Sequence, residues 1–258
     1  MADNDTAEDR WLRRYLPSEN AAIRLVCFPH AGGSASFYRP VALSHAPRTD
    51  VLVLQYPGRQ DRRHEPFVET VEEYADRIAE LLAALPPKPT VYFGHSMGAV
   101  LGFEVAHRLE PDGRGPRSLV VSGRRAPSTS RPEEATRTDD AGILADMSQL
   151  EGTGSAVLGN EEIVRLALPA IRNDYRAIEL YRPNDRVVRC PVTALIGVRD
   201  PKSTVAEAER WQEHTSGRFR LRRFPGGHFY LTEQHSQVNG EIAAELAEAA
   251  LAPVGRGA

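Results

Sequence analysis

Cysteine and lysine are scarce in this sequence and long apolar runs are absent, and each shortage removes a class of protein. Cysteine occurs twice in 258 residues, at Cys27 and Cys190, each inside an apolar strand-like stretch. Two such thiols make no disulfide framework, no C-x-x-C pair and no His/Cys spacing for zinc, so both read as small buried hydrophobes. No metal site is expected. Lysine appears only at Lys88 and Lys202, arginine carries the remaining positive charge, and the formal net charge is -3. That balance leaves no basic footprint for nucleic acid. No apolar run approaches the roughly 18 residues of a membrane-spanning helix. The segment Met1 to Glu8 is polar and acidic rather than signal-like. A cytoplasmic protein that engages neither nucleic acid nor membrane is expected.

What is present centres on Gly94-His95-Ser96-Met97-Gly98, which follows the apolar run Thr90-Val91-Tyr92-Phe93 and leads into a helical pattern from Ala99 to Leu109. G-x-S-x-G between a strand and a helix is the context of a nucleophile elbow. A strained turn that lifts Ser96 out of the chain leaves no room for β-carbons two residues to either side, which accounts for both glycines.

The rest of the chain alternates strand and helix. Strand patterns cover Ile23–Phe28, Asp50–Gln55, Arg117–Ser122, Val192–Ile196 and Phe219–Phe224. Thr70 and Glu73 predict a capping box opening a helix, with Val71, Ala75, Ile78, Leu82 and Leu85 on one face and Pro86-Pro87 ending it. Further helices are expected over Val205–His214, with Trp211 on the apolar side, and over Val238–Leu251. Residues 1–20 read as a polar arm packed loosely through Trp11, Leu12, Tyr15 and Leu16. This rhythm predicts one α/β domain over 1–258, a mostly parallel sheet covered on both faces, with the functional loops at the carboxyl ends of the strands. Residues 126–186 interrupt it. They carry a polar stretch (Pro127 to Asp140), a helical pattern through Ile143, Leu144, Met147 and Leu150, a glycine-containing segment Gly152–Ser155, and a second helix Glu161–Tyr181 that Pro169 should kink. An insertion of helices above the reactive edge is how a lid would look; an ordinary pair of packed helices is the alternative.

A serine nucleophile needs a base, and the base needs an orienting carboxylate. His228 follows the last strand behind Gly226-Gly227, the position an α/β-hydrolase uses for its base. His45, His64 and His214 lie in surface-like stretches, and His95 adjoins the serine on a sharp turn. Asp200 directly follows the strand ending at Gly197, whereas the earlier strand runs into Gly123-Arg124-Arg125 with no acid nearby. The oxyanion needs two preorganised backbone donors. Met97, at the head of the helix, supplies one amide, and Ala31 in the loop His30-Ala31-Gly32-Gly33 supplies the other.

With these pieces in order, the chain resembles the stand-alone type II thioesterases of polyketide and nonribosomal peptide assembly lines, which are α/β-hydrolases. The resemblance rests on Phe28-Pro29-His30-Ala31-Gly32-Gly33-Ser34-Ala35-Ser36-Phe37-Tyr38, Tyr56-Pro57-Gly58-Arg59, the elbow, Gly197-Val198-Arg199-Asp200 and Phe224-Pro225-Gly226-Gly227-His228-Phe229. It implies hydrolysis of acyl groups from the phosphopantetheine arm of an acyl or peptidyl carrier protein, an editing role, by a monomer with no cofactor of its own. It implies Ser96 as nucleophile, His228 as base, Asp200 as its partner, Ala31 and Met97 as oxyanion donors, and substrate contact by His30, Gly32, Phe37 and Tyr38. Packing is the other reading of Phe37 and Tyr38. Arg59, Arg62 and Arg63, and likewise Arg124 and Arg125, could meet an acidic carrier or form solvated basic loops. A hydrolase of small oxygen esters, a product-releasing thioesterase and a scaffold without turnover are the rival readings.

Overall fold

The computed structural model describes residues 6–18, 20–129, 140–150, 161–182 and 184–251. Among these residues seven strands form one sheet: β1 (Leu12–Arg13), β2 (Arg24–Phe28), β3 (Asp50–Leu54), β4 (Thr90–His95), β5 (Ser118–Ser122), β6 (Val192–Gly197) and β7 (Phe219–Phe224). Their spatial order is β1-β3-β2-β4-β5-β6-β7, and every pairing is parallel except that of β1 with β3. The α-helices among the described residues are α1 (Ala7–Trp11), α2 (Arg39–His45), α3 (Val71–Ala84), α4 (Met97–Leu109), α5 (Asp140–Ser148), α6 (Glu161–Leu180), α7 (Val205–Glu209), α8 (Tyr230–Glu233) and α9 (His235–Leu251).

This is the α/β-hydrolase architecture that the alternating pattern predicts. β2, β3, β5 and β6 are buried at every position, as expected when helices cover both faces of a parallel sheet. One face packs Val26, Phe28, Leu52 and Tyr92 against α3 and α4; the other packs Leu25, Cys27, Val51 and Phe93 against α2 and α9. Both cysteines are buried and unpaired, and burial pushes the Cys27 thiol well above its ordinary range. β7 is the open edge. Its Arg220 and Arg222 are exposed enough to meet water, and they pair with Glu248 and Glu241 of α9, so charge blunts this edge against a further strand.

Four local expectations need correcting. The amino-terminal arm is not loose: α1 leads into β1, whose two residues pair with Leu54 and Val53 at the edge of β3. A two-residue strand is too short to show alternation in sequence, and the unpaired edge of β3 supplies its partner groups. The Thr70 hydroxyl accepts the Glu73 amide at 3.1 Å, yet the reciprocal half of a capping box is missing because the Glu73 carboxylate takes Arg77 instead. The helix expected over Val205–His214 stays α-helical only to Glu209 and tightens into a 3-10 turn over Arg210–His214. His214 is buried rather than surface-like, with Nδ1 2.8 Å from the Arg186 carbonyl oxygen and Nε2 accepting the Ser128 amide at 3.1 Å. Among the described residues of the 126–186 interval, α5 and α6 stand at the two places where helices were expected, and Pro169 lies inside α6. Most of the Pro127–Asp140 stretch and the Gly152–Ser155 segment fall outside the described residues. No helix of the described residues is long and apolar enough to cross a membrane.

Candidate active site

The register aligns the carboxyl ends of five strands: Phe28 stands beside Gly94, Gly94 beside Val121, His95 beside Ser122, and Gly197 beside Phe224. His30, Ala31, Gly32, Ser96, Asp200 and His228 each emerge within a few positions of that line, and Met97 opens the helix behind it.

Ser96 occupies the turn between β4 and α4 with φ 54° and ψ -116°, a conformation that non-glycine residues rarely hold and that marks a functional site. Its amide donates to the Ser122 carbonyl at 2.8 Å and its carbonyl accepts the Ala99 amide at 3.0 Å. The flanking glycines carry the steric role expected of them. A Cβ at Gly94 would lie 2.1 Å from the Gly98 carbonyl oxygen, and one at Gly98 would lie 1.9 Å from the Phe28 carbonyl oxygen. The elbow is thus pressed against the end of β2, where the His30-Ala31-Gly32-Gly33 loop begins. Met97 heads α4, so its amide has no intrahelical acceptor. The Ala31 amide likewise has no protein acceptor among the described residues.

Asp200 and His228 stand at the ends of the neighbouring strands β6 and β7. His228 Nδ1 is 3.0 and 2.9 Å from the two carboxylate oxygens, and both side chains are buried. The Lys202 amide donates to Asp200 Oδ1 at 2.8 Å, which fixes the carboxylate further. The two turns touch: a Cβ at Gly197 would lie 2.2 Å from the Gly227 carbonyl oxygen. Ser96 and His228 line one cavity, and no hydrogen bond joins the imidazole to the serine hydroxyl among the described residues. Such bonds in hydrolase sites often tighten only around substrate.

Two further histidines flank His228. The His95 ring centre is 4.9 Å from that of His228; its Nδ1 lies 2.9 Å from Ser122 Oγ, which in turn is 2.7 Å from the Tyr230 hydroxyl. His30 packs edge-on to Phe37 at 4.7 Å and Phe229 at 5.0 Å. Burial pushes His30 down to about 3 and His95 well below the ordinary imidazole range, with neighbouring His228 adding to both. Both are therefore neutral at neutral pH.

The cavity measures about 140 Å³. Its floor is His30, Ala31, Gly32, Ser96, Met97 and His228; α5 and α6 contribute Asp146, Met147, Ile171, Tyr175 and Ile178. His30 and Gly32 therefore line it. Phe37 and Tyr38 do not: Tyr38 is fully buried against Phe93, and Phe37 packs behind His30, which is the packing alternative. Arg59 and Arg62 are buried, so neither forms a solvated basic loop. Arg59 pairs with Asp174, and Arg62 with Glu65 and the Gln55 carbonyl. Their long side chains turn inward because buried acceptors there match the guanidinium fork. Arg124 and Arg125 line the cavity.

Asp146 and Asp174 are the site residues that sequence reasoning misses. Lys202 Nζ pairs with Asp146, whose Oδ2 also accepts the Tyr175 hydroxyl at 3.0 Å. A signal exists for both: each aspartate falls at helical spacing among apolar residues, Asp146 between Ile143 and Leu150, Asp174 between Ile171 and Ile178. An acid on an apolar face needs a buried partner.

Residues 23–246 match the family described as a thioesterase domain. The chain is 59% identical over 244 residues to a probable cadicidin biosynthesis thioesterase of Streptomyces griseus, covering 94% of this chain and 67% of that protein. It is 46% identical to the thioesterase PikA5 of Streptomyces venezuelae, covering 92% and 85% respectively. The solved structure of the type II thioesterase BorB from the borrelidin biosynthetic cluster superposes with a TM-score of 0.85 at 48% identity, over 93% of this chain and 99% of that one.

Proposed function

The chain belongs to the thioesterase family as a type II thioesterase of polyketide or nonribosomal peptide biosynthesis, and from that premise we propose that it clears acyl groups from the phosphopantetheine arm of carrier proteins through Ser96, His228 and Asp200. The observation that carries this reading is the buried Asp200–His228 pair, at 2.9 Å, whose imidazole lines the same cavity as a serine held at φ 54°.

In this mechanism His228 Nε2 takes the Ser96 proton while Asp200 holds the Nδ1–H tautomer and stabilises the imidazolium. Ser96 Oγ attacks the thioester carbonyl, and the oxyanion is received by the Ala31 and Met97 amides. Each such donor is worth about 3 kcal/mol in the transition state, and the dipole of α4 adds to the Met97 contribution. The C–S bond breaks and the pantetheine thiolate leaves, a far weaker base than an alkoxide, so the step demands little acid assistance. Water activated by His228 then attacks the acyl-serine, and the carboxylic acid departs as Ser96 recovers its proton. Every group needed belongs to the chain or to water. The α5 and α6 helices act as the lid, residues 126–186 forming a helical insertion on a single α/β domain, and their apolar side chains contact the acyl group.

The test is hydrolysis of a panel of acyl groups on one carrier protein, alongside matched oxygen esters and the Ser96→Ala variant. Thioesters should be cleaved far faster than oxygen esters, and Ser96→Ala should lose roughly 1,000,000-fold in kcat, on the order of what removing the serine of a triad costs. Equal rates for wild type and Ser96→Ala would refute the assignment. Preference for oxygen esters would favour a carboxylester hydrolase.

A further inference from the structure

Arg59 and Asp174 form a buried pair that the mechanism above leaves unused. Arg59 Nη1 donates to Asp174 Oδ2 at 2.7 Å and Nη2 to Oδ1 at 3.0 Å, with side chains 4% and 0% exposed. The same carboxylate accepts the Gly32 amide at 2.8 Å and the Tyr74 hydroxyl at 3.2 Å. Arg59 Nη1 also donates to the Gly33 carbonyl at 3.2 Å. One ion pair therefore grips the His30–Gly33 loop by both kinds of backbone group, the carboxylate taking the N–H of Gly32 and the guanidinium the C=O of Gly33.

The grip is close. Gly32 has φ +71°, and a Cβ there would lie 2.3 Å from Ile171 Cγ1, so α6 rests directly on the loop. The bond to Asp174 fixes the peptide plane between Ala31 and Gly32. That plane shares the Ala31 α-carbon with the His30–Ala31 plane, whose N–H is the oxyanion donor. A buried ion pair contributes little net stability compared with apolar residues of the same volume. Stability alone gives no reason for two charges here, whereas setting a loop backbone needs both a fixed acceptor and a fixed donor.

We propose that Asp174, braced by Arg59, is a positioning residue that sets the Ala31 amide for the oxyanion and makes that setting depend on α6 resting on the body. Oxyanion stabilisation and closure of the acyl cavity are then one event, because the helix that roofs the cavity also carries the acceptor that orders the donor loop. The proposal rests on Ser96 acting through the Ala31 amide.

The experiment compares wild type with Asp174→Asn, Arg59→Gln and the double variant, each normalised to sites titrated by a phosphonate probe. Three quantities are read: kcat on an acyl-pantetheine thioester, the rate of phosphonate labelling of Ser96, and the Kd of a non-hydrolysable thioether analogue. Asp174→Asn should lower kcat and the labelling rate together by roughly 10- to 100-fold, somewhat less than deleting a donor outright. The analogue Kd should stay within about 3-fold, and the double variant should fall no further than the worse single, as residues acting as a unit do. A kcat within about 3-fold of wild type would overturn the proposal. So would a Kd that rises in step with the loss, since the pair would then merely shape the cavity. Should Asp174→Asn fail to fold, Arg59→Lys answers the same question, because an ammonium keeps the charge yet cannot span both acceptors. An inactive wild type, or a fully active Ser96→Ala, would instead refute the thioesterase mechanism itself.

Discussion

An alanine at position 98 would place its methyl 1.9 Å from the Phe28 carbonyl oxygen and 2.7 Å from that of Pro29. Both obstacles are backbone, which cannot swing aside as a side-chain tip would, so the elbow must move. Gly98→Ala should therefore displace Met97 and its amide from the end of β2. We expect a loss of at least about 100-fold in kcat, on the order of one oxyanion donor, together with a lowered melting temperature; circular dichroism and phosphonate titration separate the two effects. The same strand end shows how a buried imidazole is used without its charge. His95 is held against Ser122 and the His228 ring, and burial keeps it neutral, so it packs beside the site as an uncharged ring.

Among elements, α9 offers the clearest contrast with the elbow. Gly240 lies inside this helix, exposed, and a methyl group added there would meet nothing within 4 Å. Gly240→Ala should stabilise the protein by about 0.5–1 kcal/mol through helix propensity alone, seen as a higher urea midpoint at unchanged kcat. The two glycines also show what can be read from the chain in advance. The elbow is legible because G-x-S-x-G states a steric requirement between adjacent elements, and Asp200 and His228 are legible because each follows a strand end. The ordering of the donor loop is not, since Gly32 and Asp174 are 142 positions apart and only the closing of α6 over the sheet brings them together. β1 is hidden for a different reason: two residues carry no periodicity, and their strand character comes from the open edge of β3. Arg59 and Arg62 look like a solvated basic loop in sequence because their buried acceptors, Asp174 and the Gln55 carbonyl, are tertiary partners.

For the molecule as a whole, the buried His30 and His95 make stability depend on pH. His30 is pushed down to about 3 by burial, and His95 well below its ordinary value, whereas in the unfolded chain each titrates near 6.5. Below pH 6.5 the unfolded state thus binds protons that the folded state refuses, so stability is complete above that pH and falls as pH drops toward 3. Each group contributes up to about 1.4 kcal/mol per pH unit across that window. Urea unfolding at about pH 7.5 and about pH 5 should show a clear drop at the lower pH, and His95→Gln should flatten the slope. A pH-independent midpoint would mean that both rings take up protons in the fold as readily as in the unfolded chain.

The tie between Gly32 and Asp174 also orders events during synthesis. The chain is made from its amino end, so the donor loop and then the serine leave the ribosome well before the carboxylate that the loop awaits. Asp200 and His228 follow later still, on the last two strands of the sheet. On the proposed mechanism, a nascent chain therefore carries its nucleophile before the base, the carboxylate and the ordered donor loop that would put it to use.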